Sequence, residues 1–87
     1  MSDQIFPQEV LKAGQAIRVS FPVVGGRAFI ETTIIARVTH SAKNSVFDFH
    51  LPNEVECIKS LTFYLGDITW EAIVFGKPMV VEVRAIK

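Results

Sequence analysis

Hydrophobic and polar residues alternate with a period of two along most of this chain, as they do over residues 17–21. Successive side chains of a β-strand point to opposite faces, so this period predicts strands with one apolar face each. The pairs Gly25-Gly26 and Gly66-Asp67 separate alternating segments and are typical of hairpin loops. We therefore predict an all-β fold, a small six-stranded antiparallel meander that forms a barrel or a strongly bent sandwich.

The first hairpin is predicted to turn at Gly25-Gly26, because type I′ and II′ turns need positive φ angles that glycine adopts without steric cost. This turn places Val23 opposite Ala28 and Phe21 opposite Ile30. Opposed residues share a face, so the apolar side chains of both strands gather on one side of the hairpin. The other side then carries the polar residues Arg18, Ser20, Arg27, Glu31, Thr33 and Arg37.

The second hairpin is predicted to connect through residues 41–44. With that connection, Val38 lies opposite Phe47 and Ala36 lies opposite Phe49. The pairing continues the alternation of the preceding strand and keeps the same apolar face inward.

The third hairpin is predicted to use Gly66-Asp67 as a type II′ turn with glycine in the first position. It pairs Phe63 with Trp70 and Leu61 with Ala72. The last strand alternates as well, and its inward residues are Met79, Val81, Val83 and Ala85.

Two segments do not follow the strand pattern. Residues 7–14 end in a glycine suited to terminate a short helical turn, which we predict there. In residues 53–60, Val55 and Ile58 have a helical spacing behind the possible cap Asn53, but Val55 and Cys57 also alternate. Helix and strand are both compatible with this second segment.

The chain has more apolar residues than one small interior needs. Its 87 residues are expected to form a single domain, residues 1–87, and 49% of them are hydrophobic. Some apolar residues fall on the outward faces of the predicted strands, where either a second layer of the same chain, such as its termini, or another subunit covers them. They are Pro22, Phe29, Ile35, Tyr64, Val80 and Ile86. We predict that the protein self-associates.

Charge and cysteine content exclude several classes of protein. The net charge is zero, which removes the usual electrostatic argument for binding nucleic acid, and the single cysteine, Cys57, excludes an internal disulfide framework. No apolar run approaches the ~20 residues of a membrane span, and the first residues lack the features of a secretory signal. We expect a soluble cytoplasmic protein with no membrane partner.

No motif for catalysis, cofactor binding or phosphate binding is present. Asp48 and His50 lie two residues apart on one predicted strand, and His40 lies near it across the connecting loop. This spacing arises often by chance in strands, so we expect solvated side chains and no metal site. The predicted protein has no catalytic residues, no cofactor and no metal.

Exposed apolar residues surrounded by arginines resemble the centres of protein interfaces. The sequence therefore predicts a non-enzymatic interaction module that self-associates and binds a protein partner. Its predicted contact residues are Pro22, Phe29 and Ile35 with Arg18, Arg27 and Arg37. The alternative is a single-stranded nucleic-acid-binding barrel, in which the same arginines hold phosphates while a base stacks on Phe29.

About residues 13–70 resemble the later strands and following helix of PilZ domains. The similar segments are GQAIRV at 14–19, the Gly25-Gly26 pair, IARV at 35–38, FDF at 47–49 and LPNE at 51–54. Gly66-Asp67 and Trp70 are similar to the segment after the PilZ barrel in some bacterial polysaccharide synthases. The family's nucleotide-binding signatures, Arg-x-x-x-Arg and Asp/Asn-x-Ser-x-x-Gly, are absent. The resemblance implies a degenerate PilZ-like barrel that works through protein contacts and does not bind cyclic di-GMP. It also favours a helix over a strand at residues 53–60, and it argues against the hairpin at Gly66-Asp67.

Overall fold

The computed structural model describes residues 11–39 and 45–86, and these residues form seven strands and no helix. Neighbouring strands are antiparallel and lie in the order β2-β1-β7-β6-β5-β4-β3, in a sheet that curls into a half-barrel. The predicted all-β fold is confirmed. The strands are β1 (Ala16–Val23), β2 (Gly26–Thr33), β3 (Ala36–Thr39), β4 (Val46–His50), β5 (Ile58–Tyr64), β6 (Thr69–Val74) and β7 (Lys77–Ala85).

The two edge strands of the sheet, β2 and β3, are joined by only Ile34 and Ile35. The Ile34 N–H donates to Gln15 O at 2.9 Å, and the Ile35 N–H donates to His50 O at 2.7 Å. The joint is therefore hydrogen-bonded to the residue before β1 on one side and to the last residue of β4 on the other. The structure has seven strands where six were predicted, because this joint divides the second predicted strand into β2 and β3.

The core lies on the concave face of the sheet. The Trp70 ring packs between two phenylalanine rings, with centroid distances of 4.7 Å to Phe63 and 5.2 Å to Phe49. Burying these large side chains supplies much of the hydrophobic stabilisation of so small a domain. The buried apolar residues are Leu11, Ile17, Val19, Phe21, Ile34, Phe47, Phe49, Ile58, Leu61, Phe63, Trp70, Ala72, Val74 and Val81.

The first hairpin turns one residue earlier than predicted, at Val24-Gly25. Phe21 consequently pairs with Ala28 instead of Ile30, so the predicted register is wrong by two residues. Of the two turn residues only Gly25 has a positive φ, 88°, which is the pattern of a type II turn. A shift of two preserves the faces of the strands, and the predicted inward and outward sides of this hairpin are correct.

The second hairpin differs from its predicted register by one residue, which reverses the face of β3. Arg37 lies opposite Phe49, and Val38 lies opposite Asp48. Val38, predicted to be inward, is 46% exposed. The alternation of inward and outward side chains is interrupted at the joint before β3, so the inward positions of β3 cannot be counted on from those of β2. The predicted connection at residues 41–44 lies outside the described residues.

The third hairpin pairs Phe63 with Trp70, as predicted. Its turn differs from type II′, because the positive φ, 51°, belongs to Ile68 and Gly66 has none. Further along β5 a β-bulge shifts the register, so the predicted opposition of Leu61 and Ala72 is not a regular pair. Ser60 adopts a φ of 58° at this bulge.

The segments with ambiguous patterns form turns. Residues 53–57 contain no helix, the Val55 N–H donates to Pro52 O at 3.0 Å, and β5 begins at Ile58. In the segment predicted as a helical turn, residues 7–10 lie outside the described residues. A turn near its end is closed by the Gln15 N–H, which donates to Lys12 O at 3.0 Å. No bilayer-spanning helix occurs within residues 11–39 and 45–86.

Candidate functional site

The convex face of the β1–β2 hairpin carries the largest group of predicted contact residues. Outward positions of the two strands lie directly opposite each other, so their side chains form one continuous surface. We call this the hairpin surface, and it consists of Arg18, Ser20, Pro22, Arg27, Phe29 and Glu31.

Phe29 is the exposed apolar centre of the hairpin surface, with 56% of its area accessible. The Cζ atom of Arg18 lies 4.3 Å from the centroid of the Phe29 ring, within the range of a cation–π interaction. The Nε atom of Arg18 also donates to the Glu31 carboxylate at 2.9 Å. These contacts hold the guanidinium over the ring of a residue that is still more than half exposed.

Arg27 lies along the same surface and contacts the neighbouring strand. Its Nη2 donates to Ser20 O at 3.2 Å and its Nε donates to Ser20 Oγ at 3.3 Å. A longer ion pair joins Arg27 to Glu82 of β7, at 3.9 Å. Both ionised side chains are well exposed, so this pair adds little to stability and leaves Arg27 available to other anions.

Pro22 determines which backbone groups of β2 face the open edge of the sheet. Opposed residues of an antiparallel pair alternately exchange two hydrogen bonds or none, and Pro22 has no N–H to donate. Its pair with Arg27 is therefore non-hydrogen-bonded, and the same holds for Phe29 and Glu31, two and four residues further along β2. The N–H and C=O groups of these three residues point away from β1. No other described strand pairs with that side of β2.

A groove lies between the second half of β2 and the segment of residues 52–57, and we call it the seam groove. Its volume is about 430 Å³. Glu54 and Glu56 are exposed carboxylates in it, and no basic side chain of the described residues pairs with them. The half-buried Cys57 is a free thiol. The lining residues are Ile30, Glu31, Thr32, Thr33, Pro52, Glu54, Val55, Glu56 and Cys57.

Four of the six predicted contact residues meet on the hairpin surface, and two lie elsewhere. Ile35 is 56% exposed at the joint between the edge strands. Arg37 belongs to β3, at the opposite edge, and its Nη1 donates to Leu11 O at 3.0 Å. Arg37 is separated from the hairpin surface because the alternation changes phase before β3.

The residues considered for a metal site do not form one in the described part of the chain. Asp48 accepts a hydrogen bond of 2.8 Å from Thr62 Oγ1, and His50 is exposed at the end of β4. Among residues 11–39 and 45–86, no three side chains of the types that bind metals are grouped together. His40 lies outside the described residues.

No family model matches the chain, and no curated protein or solved structure matches it either.

Proposed function

We propose that this chain is a non-enzymatic interaction module that self-associates and binds a protein partner through the hairpin surface. The observation that carries the proposal is the solvent-exposed Phe29 ring with Arg18 stacked on it. Aromatic and arginine side chains are enriched at the centres of protein interfaces, where they bury a large area with few rotatable bonds.

The surroundings of Phe29 suit such an interface. Pro22 is exposed on the same hairpin surface, and Val80 of the neighbouring strand β7 is 61% exposed. The charged side chains of Arg27 and Glu82 lie close to these apolar groups. An apolar centre with a charged rim is the usual composition of a protein contact, since the rim excludes water and selects the partner.

The nucleic-acid alternative receives less support from the same contacts. Arg18 is hydrogen-bonded to Glu31, and Arg27 lies near Glu82, so a phosphate would compete with a carboxylate for each guanidinium. The hairpin surface also offers one aromatic ring, whereas single-strand-binding surfaces stack successive bases on several. The resemblance to PilZ domains is compatible with the proposal, because the arginine motif of that family is absent.

Sedimentation equilibrium of the full chain over a range of micromolar concentrations tests the proposal. We expect the apparent mass to exceed the 9.7 kDa of one chain and to rise with concentration. Phe29→Ser should weaken association, while the matched change Val38→Ser, at another exposed apolar residue on the opposite edge strand, should not. A constant mass of one chain at every concentration would show that the protein does not self-associate.

A further inference from the structure

Strand β2 carries a self-complementary order of side chains on its outward face. Arg27, Phe29 and Glu31 follow one another at a spacing of two, so a cation, an aromatic ring and an anion lie in line. In an antiparallel pair of two such strands centred on Phe29, each cation lies opposite an anion and the two rings lie opposite each other.

The backbone of the same three residues is available for this pairing. Their N–H and C=O groups point to the open edge of the sheet, as the non-hydrogen-bonded pair of Pro22 requires. Edge strands with unpaired backbone groups are templates for pairing with another strand. Side chains and backbone of β2 thus favour one and the same register.

We propose that two copies of this chain associate through their β2 strands, which pair antiparallel about a two-fold axis at Phe29. This inference rests on the proposed self-association and specifies its mode. Arg27 of each copy lies opposite Glu31 of the other, and the three residues form six backbone hydrogen bonds, two at each opposed pair. The half-barrel sheets of the two copies then become one continuous sheet.

The seam groove accommodates the hairpin turn of the second copy. In this register Thr33 lies opposite Gly25 and Thr32 lies opposite Gly26 of the second copy, so the two residues that enter the groove have no side chains. The exposed Val24 of the turn lies opposite Ile34, which does not line the groove. Arg27 follows the two glycines and reaches a groove that also carries the carboxylates of Glu54 and Glu56. The two-fold axis repeats each of these contacts, so both grooves are filled in the same way.

Charge reversals test the pairing, because the expected results differ between single, double and mixed variants. Arg27→Glu and Glu31→Arg should each raise the dissociation constant roughly tenfold or more, since each creates two pairs of like charges. The double variant R27E/E31R should restore association. An equimolar mixture of the two single variants should form the heterodimer, while each alone stays dissociated. Lys77→Glu, at the exposed start of β7, is the control that should change little.

Amide hydrogen exchange at low and high protein concentration provides an independent readout. Association should protect the N–H groups of Arg27, Phe29 and Glu31, while those of Ala28 and Ile30 should be protected at both concentrations because they face β1. Circular dichroism checks that each variant remains folded.

The outcomes separate this inference from the proposed function. If the wild-type protein associates and neither single reversal changes its dissociation constant, the pairing through β2 is wrong and the proposed self-association is still supported. A wild-type protein that remains a monomer would overturn both. Protection of the β2 edge only after addition of a basic peptide would show that another protein, and not a second copy, occupies this edge.

Discussion

The guanidinium carbon of Arg18 lies 4.3 Å from the centroid of the Phe29 ring, on the convex face of the edge hairpin. The two residues belong to adjacent strands and are diagonal neighbours, since Arg18 pairs with Glu31 and Phe29 pairs with Ser20. An aromatic ring that would otherwise rotate in solvent is thus held in one orientation. This places a cation–π contact beside the open edge of the sheet.

Removing the charge of Arg18 should have a small, measurable effect on stability. Arg18→Met keeps most of the aliphatic stem but removes both the cation–π contact and the ion pair with Glu31. Both contacts are exposed and weak, so we expect the free energy of unfolding to fall by about 0.5–1 kcal/mol. A double-mutant cycle in urea with Phe29→Leu isolates the coupling between the two side chains. Additive effects of the two changes would contradict an energetic contact between them. Lys77→Met, at the exposed start of β7, serves as the control.

Truncating Phe63 should destabilise the fold severely. Its ring is buried and lies 4.7 Å from the Trp70 ring, so Phe63→Ala removes a large side chain from the centre of the core. We expect a loss of about 3–5 kcal/mol in the free energy of unfolding, measured by urea denaturation with Trp70 fluorescence. Phe63→Leu should cost clearly less because it leaves a smaller cavity. Equal losses for both variants would argue against tight packing around this ring.

Replacing Ile68 by glycine should stabilise the protein. Ile68 has a φ of 51°, a conformation that is unfavourable for a β-branched residue and free of this cost for glycine. Its side chain is 45% exposed, so little burial is lost. We expect a gain of about 1 kcal/mol in the thermal or urea unfolding free energy. The same change at Ile73, an exposed residue inside β6, should be destabilising, and a loss at both positions would contradict the prediction.

Cyclic di-GMP should not bind this protein, because neither nucleotide-binding signature of PilZ domains is present in the sequence. Isothermal titration calorimetry at micromolar protein should give only heats of dilution. Saturable binding would require a binding site unlike that of the family and would favour a ligand-sensing function over an interaction module.

Short single-stranded oligonucleotides should bind weakly or not at all at moderate salt. The net charge is zero, and Arg18 already contacts the Glu31 carboxylate. Fluorescence anisotropy at low and moderate salt measures this directly. Tight binding that weakens in Arg18→Met and Phe29→Leu would support the nucleic-acid alternative.

The period-two alternation predicts which face of the sheet a residue lies on more reliably than it predicts which residue of the next strand it pairs with. Phe21 faces inward as predicted although it pairs with Ala28 instead of Ile30, because a shift of two residues leaves every face unchanged. Val38 faces outward against prediction, because the phase of β3 is reset after Ile35 donates its N–H to His50. That bond joins residues distant in sequence, and no local pattern encodes it.

The candidate site was predictable to the same extent. Four of the predicted contact residues lie together because they occupy outward positions of two paired strands, which the alternation in the sequence predicts. They are Arg18, Pro22, Arg27 and Phe29. The seam groove was not predictable, since it depends on where residues 52–57 lie relative to β2. Predicting the open edge would also have required the order of the strands in the sheet. β2 is the last strand because β1 pairs with β7 on its other side.

Pro22 has a second consequence, for the other neighbour of β1. The pairing of β1 with β7 stops at Ser20 and Glu82, and Pro22, which has no N–H, is the next residue that would have to donate to β7. Beyond Ser20 no backbone pairing joins the described hairpin tip to β7. Side chains hold the tip instead: the buried Phe21 ring contacts the Phe75 ring edge to face at 6.2 Å, and Arg27 forms the ion pair with Glu82 at 3.9 Å. The tip is therefore an arm that side chains alone hold to the body of the sheet, and no backbone hydrogen bond between β1 and β7 resists its tilting.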